Sequence, residues 1–268
     1  MRFLYLVLIV LFCAVNIYGA ENDLLMATTT SADNTGLLEY LSDKAKKDIG
    51  IELKWVATGS GKALKHGMNC DVDVLLVHSE KKEIEFMNKG YGKRREQFMY
   101  NYFVLVGPKS EKNFFKKKNI LNTLKYIKEN GLKFISRGDE SGTHIKEKEL
   151  WNKCCGSVPE NKKWYIENGL GMIETLLMAN EMKAYTLSDM ATYLTFKKRV
   201  KRNNITILVG KSRELKNPYS IILVNPENCE NVKYKLANKF IDWLISKKTL
   251  DYISQYTIDG KQLFYILK

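Results

Sequence analysis

Leu24-Leu25-Met26-Ala27-Thr28-Thr29-Thr30-Ser31 begins as an apolar run and ends in hydroxyls. Residues 24–28 read as a strand, and helical spacing follows over 36–47. The same order of strand, small polar residues and helix returns at Thr58-Gly59-Ser60-Gly61, after a strand over 51–57 and before a helix over 62–67. It returns again at Ser136-Arg137-Gly138-Asp139-Glu140-Ser141-Gly142-Thr143-His144, between a strand over 132–136 and a helix over 141–153. A helix start presents backbone N–H groups with no partner in their own helix, and neighbouring hydroxyls add further donors. Each stretch taken alone is accounted for as an ordinary helix cap. Three of them at strand ends suit a dehydrated anion.

The rest of the chain keeps the alternation. Strands are expected over 72–78 and 102–106, the latter stopped by Gly107-Pro108, with a helix over 80–88 between them. A second set follows, with helices over 121–129, 172–182 and 190–198 and strands over 184–187, 205–209 and 219–224. Residues 232–256 read as one long amphipathic helix with Leu236, Phe240, Trp243, Leu244 and Ile253 on one side. Alternating strands and helices predict an α/β fold whose mainly parallel sheet is used twice. Ligands in such sheets sit where strands end and helices begin, so a ligand held by both sets lies in a cleft between two lobes.

Met1-Arg2, an apolar run to about Val15, and Asn16-Ile17-Tyr18-Gly19-Ala20 before Glu21 have the layout of a secretory leader over residues 1–20. Tyr18, three before the expected cut, leaves an uncleaved anchor as the alternative. The 268 residues carry 43 Lys+Arg against 30 Asp+Glu, a net charge of +13 that favours anion capture. The basic residues are scattered in pairs, so no nucleic-acid face emerges. Of the cysteines beyond the leader, the adjacent Cys154 and Cys155 bridge only with strain, and the spacing fits no zinc pattern. The pairing of Cys70 with Cys229 is left open by sequence.

The candidate ligand donors are Thr29, Thr30 and Ser31, then Ser60 and Gly61, then Ser141, Gly142 and Thr143, with Arg137 as the fixed positive charge. Asp139, two residues after Arg137, is placed to aim the guanidinium. His144 reads as a packed or surface histidine. Gly59-Ser60-Gly61-Lys62-Ala63 departs from a nucleotide phosphate loop, with Val56 where glycine is needed and Ala63 where the magnesium-binding hydroxyl belongs. Ser141 and His144 have no third member and no elbow. With no metal grouping and no nucleophile beside a base, the chain reads as a binding protein, with no enzyme activity and no cofactor.

These residues, together with Asp71-Val72-Asp73-Val74-Leu75-Leu76-Val77-His78, Met99-Tyr100-Asn101, Phe103-Val104-Leu105-Val106-Gly107-Pro108, Gly169-Leu170-Gly171-Met172 and Ala184-Tyr185-Thr186-Leu187 with Asp189, resemble the tungstate-binding proteins of bacterial ABC importers. The resemblance spans nearly all of the chain after the leader. It implies a two-lobed periplasmic-binding-protein fold of the molybdate-binding type (type II), with tungstate or molybdate in the inter-lobe cleft. It also implies contacts from Thr30, Ser31 and Ser60 on one lobe and from Arg137 and Thr143 on the other, with Gly171 and Tyr185 as further additions. The expected division is 21–104 for the first lobe, 105–212 for the second and 213–268 for the return to the first. The implied partners are a membrane permease and an ATPase, and the implied state is an exported, periplasmic monomer. Tyr102 and Met190 stand where the family commonly has Asp and Arg, which suggests an ion pair replaced here as a unit. That idea requires the two positions to be neighbours.

A phosphate- or sulfate-binding protein of the same fold is the near alternative. Phosphate keeps a proton near neutral pH and needs a carboxylate acceptor, which would repel a fully ionised ligand. Asp33 is the candidate acceptor nearest the first two stretches, and it reads as a helix-start residue. A basic surface protein binding a polyanion is the alternative of another class, and it predicts stacking aromatics along a basic strip. The aromatics fall inside apolar runs instead.

Overall fold

The computed structural model describes residues 22–258 and 260–267, so the leader expected over 1–20 lies outside the described residues. The first set of elements is β1 (Asp23–Thr29), α1 (Thr30–Asp33), α2 (Leu37–Ile49), β2 (Glu52–Thr58), α3 (Ser60–Met68), β3 (Val74–Val77), α4 (Glu80–Asn88) and β4 (Gly92–Pro108). The second is α5 (Lys112–Phe115), α6 (Ile120–Glu129), β5 (Phe134–Ser136), α7 (Gly142–Cys155), β6 (Tyr165–Glu167), α8 (Met172–Met182), β7 (Thr186–Asp189), α9 (Met190–Arg199) and β8 (Ile205–Gly210). The chain then returns through β9 (Lys216–Val224), α10 (Tyr234–Leu244), α11 (Lys247–Gln255), β10 (Thr257–Ile258), β11 (Lys261–Gln262) and β12 (Tyr265–Ile266).

β1 pairs in parallel with β2 and with β3, and β5 pairs in parallel with β6, as the strand–helix alternation predicts. The strands joining the two sets run the other way. β9 is antiparallel to β3 and to β4, and β4 is antiparallel to β7 and β8. Along its 17 residues β4 pairs with β9 as far as Tyr102 and with β7 from Phe103, so it changes partners between the two sets. Asn101 and Asn217 face each other just before that change; Asn217 Nδ2 donates to Asn101 Oδ1 at 2.8 Å, and Asn101 Nδ2 donates to the Tyr219 hydroxyl at 3.2 Å. These groups are buried and pair with each other, which pins the register where the strand crosses.

Tyr102 and Met190 each lie one position beyond the paired Phe103 and Asp189, Met190 as the first residue of α9. Tyr102 fills its place with ring contacts to Tyr100 and Tyr265, each with centroids 5.5 Å apart. β4 begins ten residues before the expected strand over 102–106 because Lys93, Arg94, Arg95 and Glu96 conceal the alternation. Those charges are held laterally. Arg95 donates to the buried Glu83 at 2.8 and 2.9 Å, and Arg94 to Asp242 at 2.6 Å. The expected helix over 232–256 is two helices, because the Ser246 hydroxyl donates to Trp243 O at 2.7 Å and accepts from Thr249 N at 3.3 Å, ending α10 and capping α11.

One apolar core joins α2, α10 and strands β1, β2, β3, β4 and β9 to α8 and α9. A second, built on Phe115, Phe134, Leu150, Trp151 and Tyr165, lies under α6 and α7. Among the described residues no helix is long and apolar enough to cross a membrane. Cys70 is bonded to Cys229, closing a loop with a sequence separation of 159, and Cys154 is bonded to Cys155 at the end of α7.

Two consequences are measurable. Replacing Cys70 and Cys229 together by serine releases a long unfolded-state loop, and the expected loss is about 2–4 kcal/mol by chemical denaturation. A denaturation midpoint equal to that of the parent would contradict this. Glu147 on α7 accepts from the Tyr165 hydroxyl at 2.7 Å and the Trp151 indole at 3.2 Å, and burial pushes its carboxyl up from 4.5 to about 7. Because the folded state holds that proton more tightly, its contribution is complete below about pH 4.5 and is lost as pH rises through 7. Glu147→Gln is therefore expected to remove a decline of about 3 kcal/mol between pH 4.5 and 8. Parallel stability curves for the two proteins across that range would refute it.

Candidate functional site

β1, β2 and β3 end side by side, and the residues that follow them form one wall of a cavity of about 500 Å³. Thr29, Thr30 and Ser31 come from the end of β1, and Thr58, Gly59, Ser60 and Gly61 from the end of β2. The opposite wall is the loop from β5 to α7, with Arg137, Asp139, Glu140, Ser141, Gly142 and Thr143. The three polar stretches singled out in the sequence thus meet at a single cavity.

Local structure explains how each is held. The Thr29 hydroxyl caps α1 by accepting from Ala32 N at 3.3 Å and lies 3.2 Å from Ser31 Oγ. Gly59 precedes α3 in extended conformation, so the first N–H groups of that helix open onto the cavity. Ser60 is buried, and its Oγ has no hydrogen-bond partner among the described residues. On the other wall Gly138 has φ of +59°, and a side chain there would meet Glu167 Cβ at 2.8 Å, so the turn admits only glycine without strain. Asp139 accepts from Ser141 N at 3.2 Å through Oδ1 and from Arg137 Nη2 at 2.5 Å through Oδ2. Ser141 caps α7 by accepting from His144 N at 3.3 Å.

Arg137 is therefore aimed by its own loop. The buried Asp189, the N-cap of α9, also lies in its field: burial raises the Asp189 carboxyl, while Thr192 hydrogen bonds and the Arg137 charge act against that rise. Arg137 Nε is buried and has no partner among the described residues. A buried donor in that state ordinarily signals a group that completes the site. Lys62, Lys65 and Lys82 add positive charge to the lining. Lys82 is carried by α4, which Glu83 fastens by accepting from Ser79 N at 2.6 Å and the Ser220 hydroxyl at 2.7 Å.

Thr29, Thr30, Ser31, Ser60, Gly61, Arg137, Ser141, Gly142 and Thr143 all line the cavity. Gly171 and Tyr185 do not line it. Gly171 precedes α8, while Tyr185 is buried against Phe115 and donates its hydroxyl to Glu111, so its ring is spent in the second core. Asp33 is also outside the lining; its carboxylate accepts from the Trp55 indole at 2.7 Å. His144 is buried and supports the loop, its Nδ1 accepting from Glu140 N at 3.1 Å. Sequence reasoning did not offer the lining residues Lys62, Lys65, Lys82 and His78 as donors; the signal for His78 was its place directly after the apolar run of β3.

Residues 16–248 match the PBP superfamily domain. Over 237 residues the chain is 47% identical to the tungstate-binding protein TupA of Campylobacter jejuni subsp. jejuni, covering 88% of each sequence. The solved structure of the tungstate-binding protein TupA from Desulfovibrio alaskensis G20 is 45% identical with a TM-score of 0.86, covering 91% of this chain and 98% of that one. The structure titled as the tungstate ABC transporter from Geobacter sulfurreducens is 42% identical with a TM-score of 0.78, covering 89% and 100%. Matched in sequence and fold along most of its length, the chain belongs to the PBP superfamily and, within it, to the family of the tungstate-binding protein TupA.

Proposed function

We propose that this protein captures tungstate as a fully ionised tetrahedral oxyanion and delivers it to an ABC importer. The observation that carries the reading is the pair of buried donors without partners, Ser60 Oγ and Arg137 Nε, on opposite walls of one cavity. Around them the N-termini of α3 and α7 supply oriented N–H groups, which favour an anion without adding mobile charge. An anion taken from water must recover several strong hydrogen bonds, each worth about 1.5–3 kcal/mol when charge-assisted, and the two walls together offer enough donors for this.

The carboxylates at the cavity favour a ligand without a proton. Both oxygens of Asp139 are already engaged, and Glu140 is an exposed side chain near Lys148 and His144. Family membership favours tungstate, and molybdate, of like shape and charge, is expected to compete. Thr29, Thr30, Ser31, Ser60, Gly61, Arg137, Ser141, Gly142 and Thr143 are proposed as the ligand-binding set. We further propose a division of the chain at 104/105 and 212/213, supported by the change of partners along β4. Export, a monomeric state, service to a permease and ATPase, and the absence of catalysis complete the reading.

A thermal-shift panel of tungstate, molybdate, sulfate, phosphate and vanadate tests the cargo. Tungstate at 100 times its dissociation constant is expected to stabilise the fold by about 2.7 kcal/mol. A larger effect of phosphate, or none with any oxyanion, would sink the proposal. Arg137→Ala is expected to weaken tungstate binding about 10- to 100-fold by calorimetry, with the circular dichroism spectrum unchanged. Unaltered affinity would remove Arg137 from the site.

A further inference from the structure

His78 follows β3 at the strand end facing the cavity, and its ring stands between the two walls. On one side Nε2 lies 3.1 Å from Ser31 Oγ. On the other a side chain at Gly142, the first residue of α7, would meet His78 Cε1 at 2.8 Å, so the ring packs against the opposite wall. Tyr219 supports it from behind, with ring centroids 4.8 Å apart. The ring is thus held in place by both walls and by the crossing strand.

What the ring does follows from where its proton sits. Burial pulls its pKa down to about 4, so near neutral pH it carries one N–H and one lone pair. If Nε2 holds the hydrogen, it donates to Ser31 Oγ and leaves the serine O–H to donate onward, into the cavity or to Thr29 Oγ1 at 3.2 Å. If Nε2 is the lone pair, Ser31 donates to histidine and turns only acceptor electrons toward the cavity. Nδ1 is buried and makes no hydrogen bond among the described residues, although Asn217 and the His78 backbone lie near enough to the ring to moderate the fall in pKa. A buried lone pair without a partner is better tolerated than a buried N–H without one, which favours hydrogen on Nε2.

We propose that His78 is a positioning residue that fixes the Ser31 hydroxyl as a donor toward the cavity, so that the site admits fully ionised oxyanions over those that carry a proton. An ionised oxyanion presents acceptors alone and matches a lining made of donors. Hydrogen phosphate presents a donor as well; its O–H can enter the remaining lone pair of Ser31 only if the serine O–H turns away to Thr29 Oγ1, 3.2 Å distant, so the bound anion loses one donor. Selectivity then comes from an uncharged side chain, by making the wrong protonation state costly. The inference rests on the oxyanion reading above and concerns a residue outside the proposed donor set.

The decisive measurement is the histidine tautomer, read by nitrogen-15 NMR on the labelled full chain with and without tungstate. Hydrogen on Nε2 is expected, and hydrogen on Nδ1 would overturn the inference whatever the cargo. Calorimetry supplies the energetic arm. His78→Leu is expected to weaken tungstate about tenfold, the loss of one net hydrogen bond, and to have little added effect when Ser31 is already alanine. An equal loss in both backgrounds would show that His78 does not act through Ser31. His78→Gln, whose amide can present either its N–H or its oxygen, is expected to regain much of the tungstate affinity while binding phosphate relatively better than the parent does; an unchanged tungstate-to-phosphate ratio would also count against the proposal. Melting temperatures of the ligand-free variants separate these effects from misfolding, and failure of the parent protein to bind tungstate would fault the cargo reading, with the tautomer still deciding this one.

Discussion

The arrangement depends on one strand belonging to two structures. β4 pairs first with β9 and then with β7 and β8, so the strand–helix units on either side of it are built on a common piece of backbone. That sharing turns the ends of β1, β2 and β3 toward the loop from β5 to α7. The buried Asn101–Asn217–Tyr219 group stands at the crossing, where a slip of one residue would flip every side chain and leave these polar groups unpaired. The position of each wall of the cavity relative to the other is decided there.

Electrostatics in the cavity are those of dipoles held in place rather than of many formal charges. α3 and α7 point their N-termini inward, and the single guanidinium is held between Asp139 and the field of Asp189. Its charge is thereby partly offset while its direction is set, which suits recognition by geometry more than by bulk attraction. The net charge of +13 and the cavity lysines act at longer range, where they raise the local concentration of anions before contact. Capture and recognition use different parts of the same protein.

Much of this was legible residue by residue. The caps at Thr29, Gly59 and Ser141 are written in local composition, because a helix start satisfies its N–H groups with whatever lies next to it in sequence. The extended part of β4 was not legible. Its outward charges are balanced by Glu83 on the preceding helix and by Asp242 from far along the chain, so the run looked polar. Tyr185 misled for a related reason, since a tyrosine beside a strand end reads equally as a ligand donor and as a core ring with one hydroxyl partner. His78 was hidden because its partners, Ser31, Gly142 and Tyr219, are remote in sequence.

Alone, the amino-acid sequence determined that strands alternate with helices, that three helix starts are rich in donors, and that one arginine is followed by its own carboxylate. These are short-range facts, governed by backbone valence and by neighbours within a few residues. The tertiary structure alone decided which donors share a cavity, which carboxylates are already engaged, which strands run antiparallel, and which histidine stands between the walls. Those depend on contacts between residues far apart in the chain, and only the packed fold, by excluding water and bringing such groups within hydrogen-bond distance of one another, gives them chemical meaning.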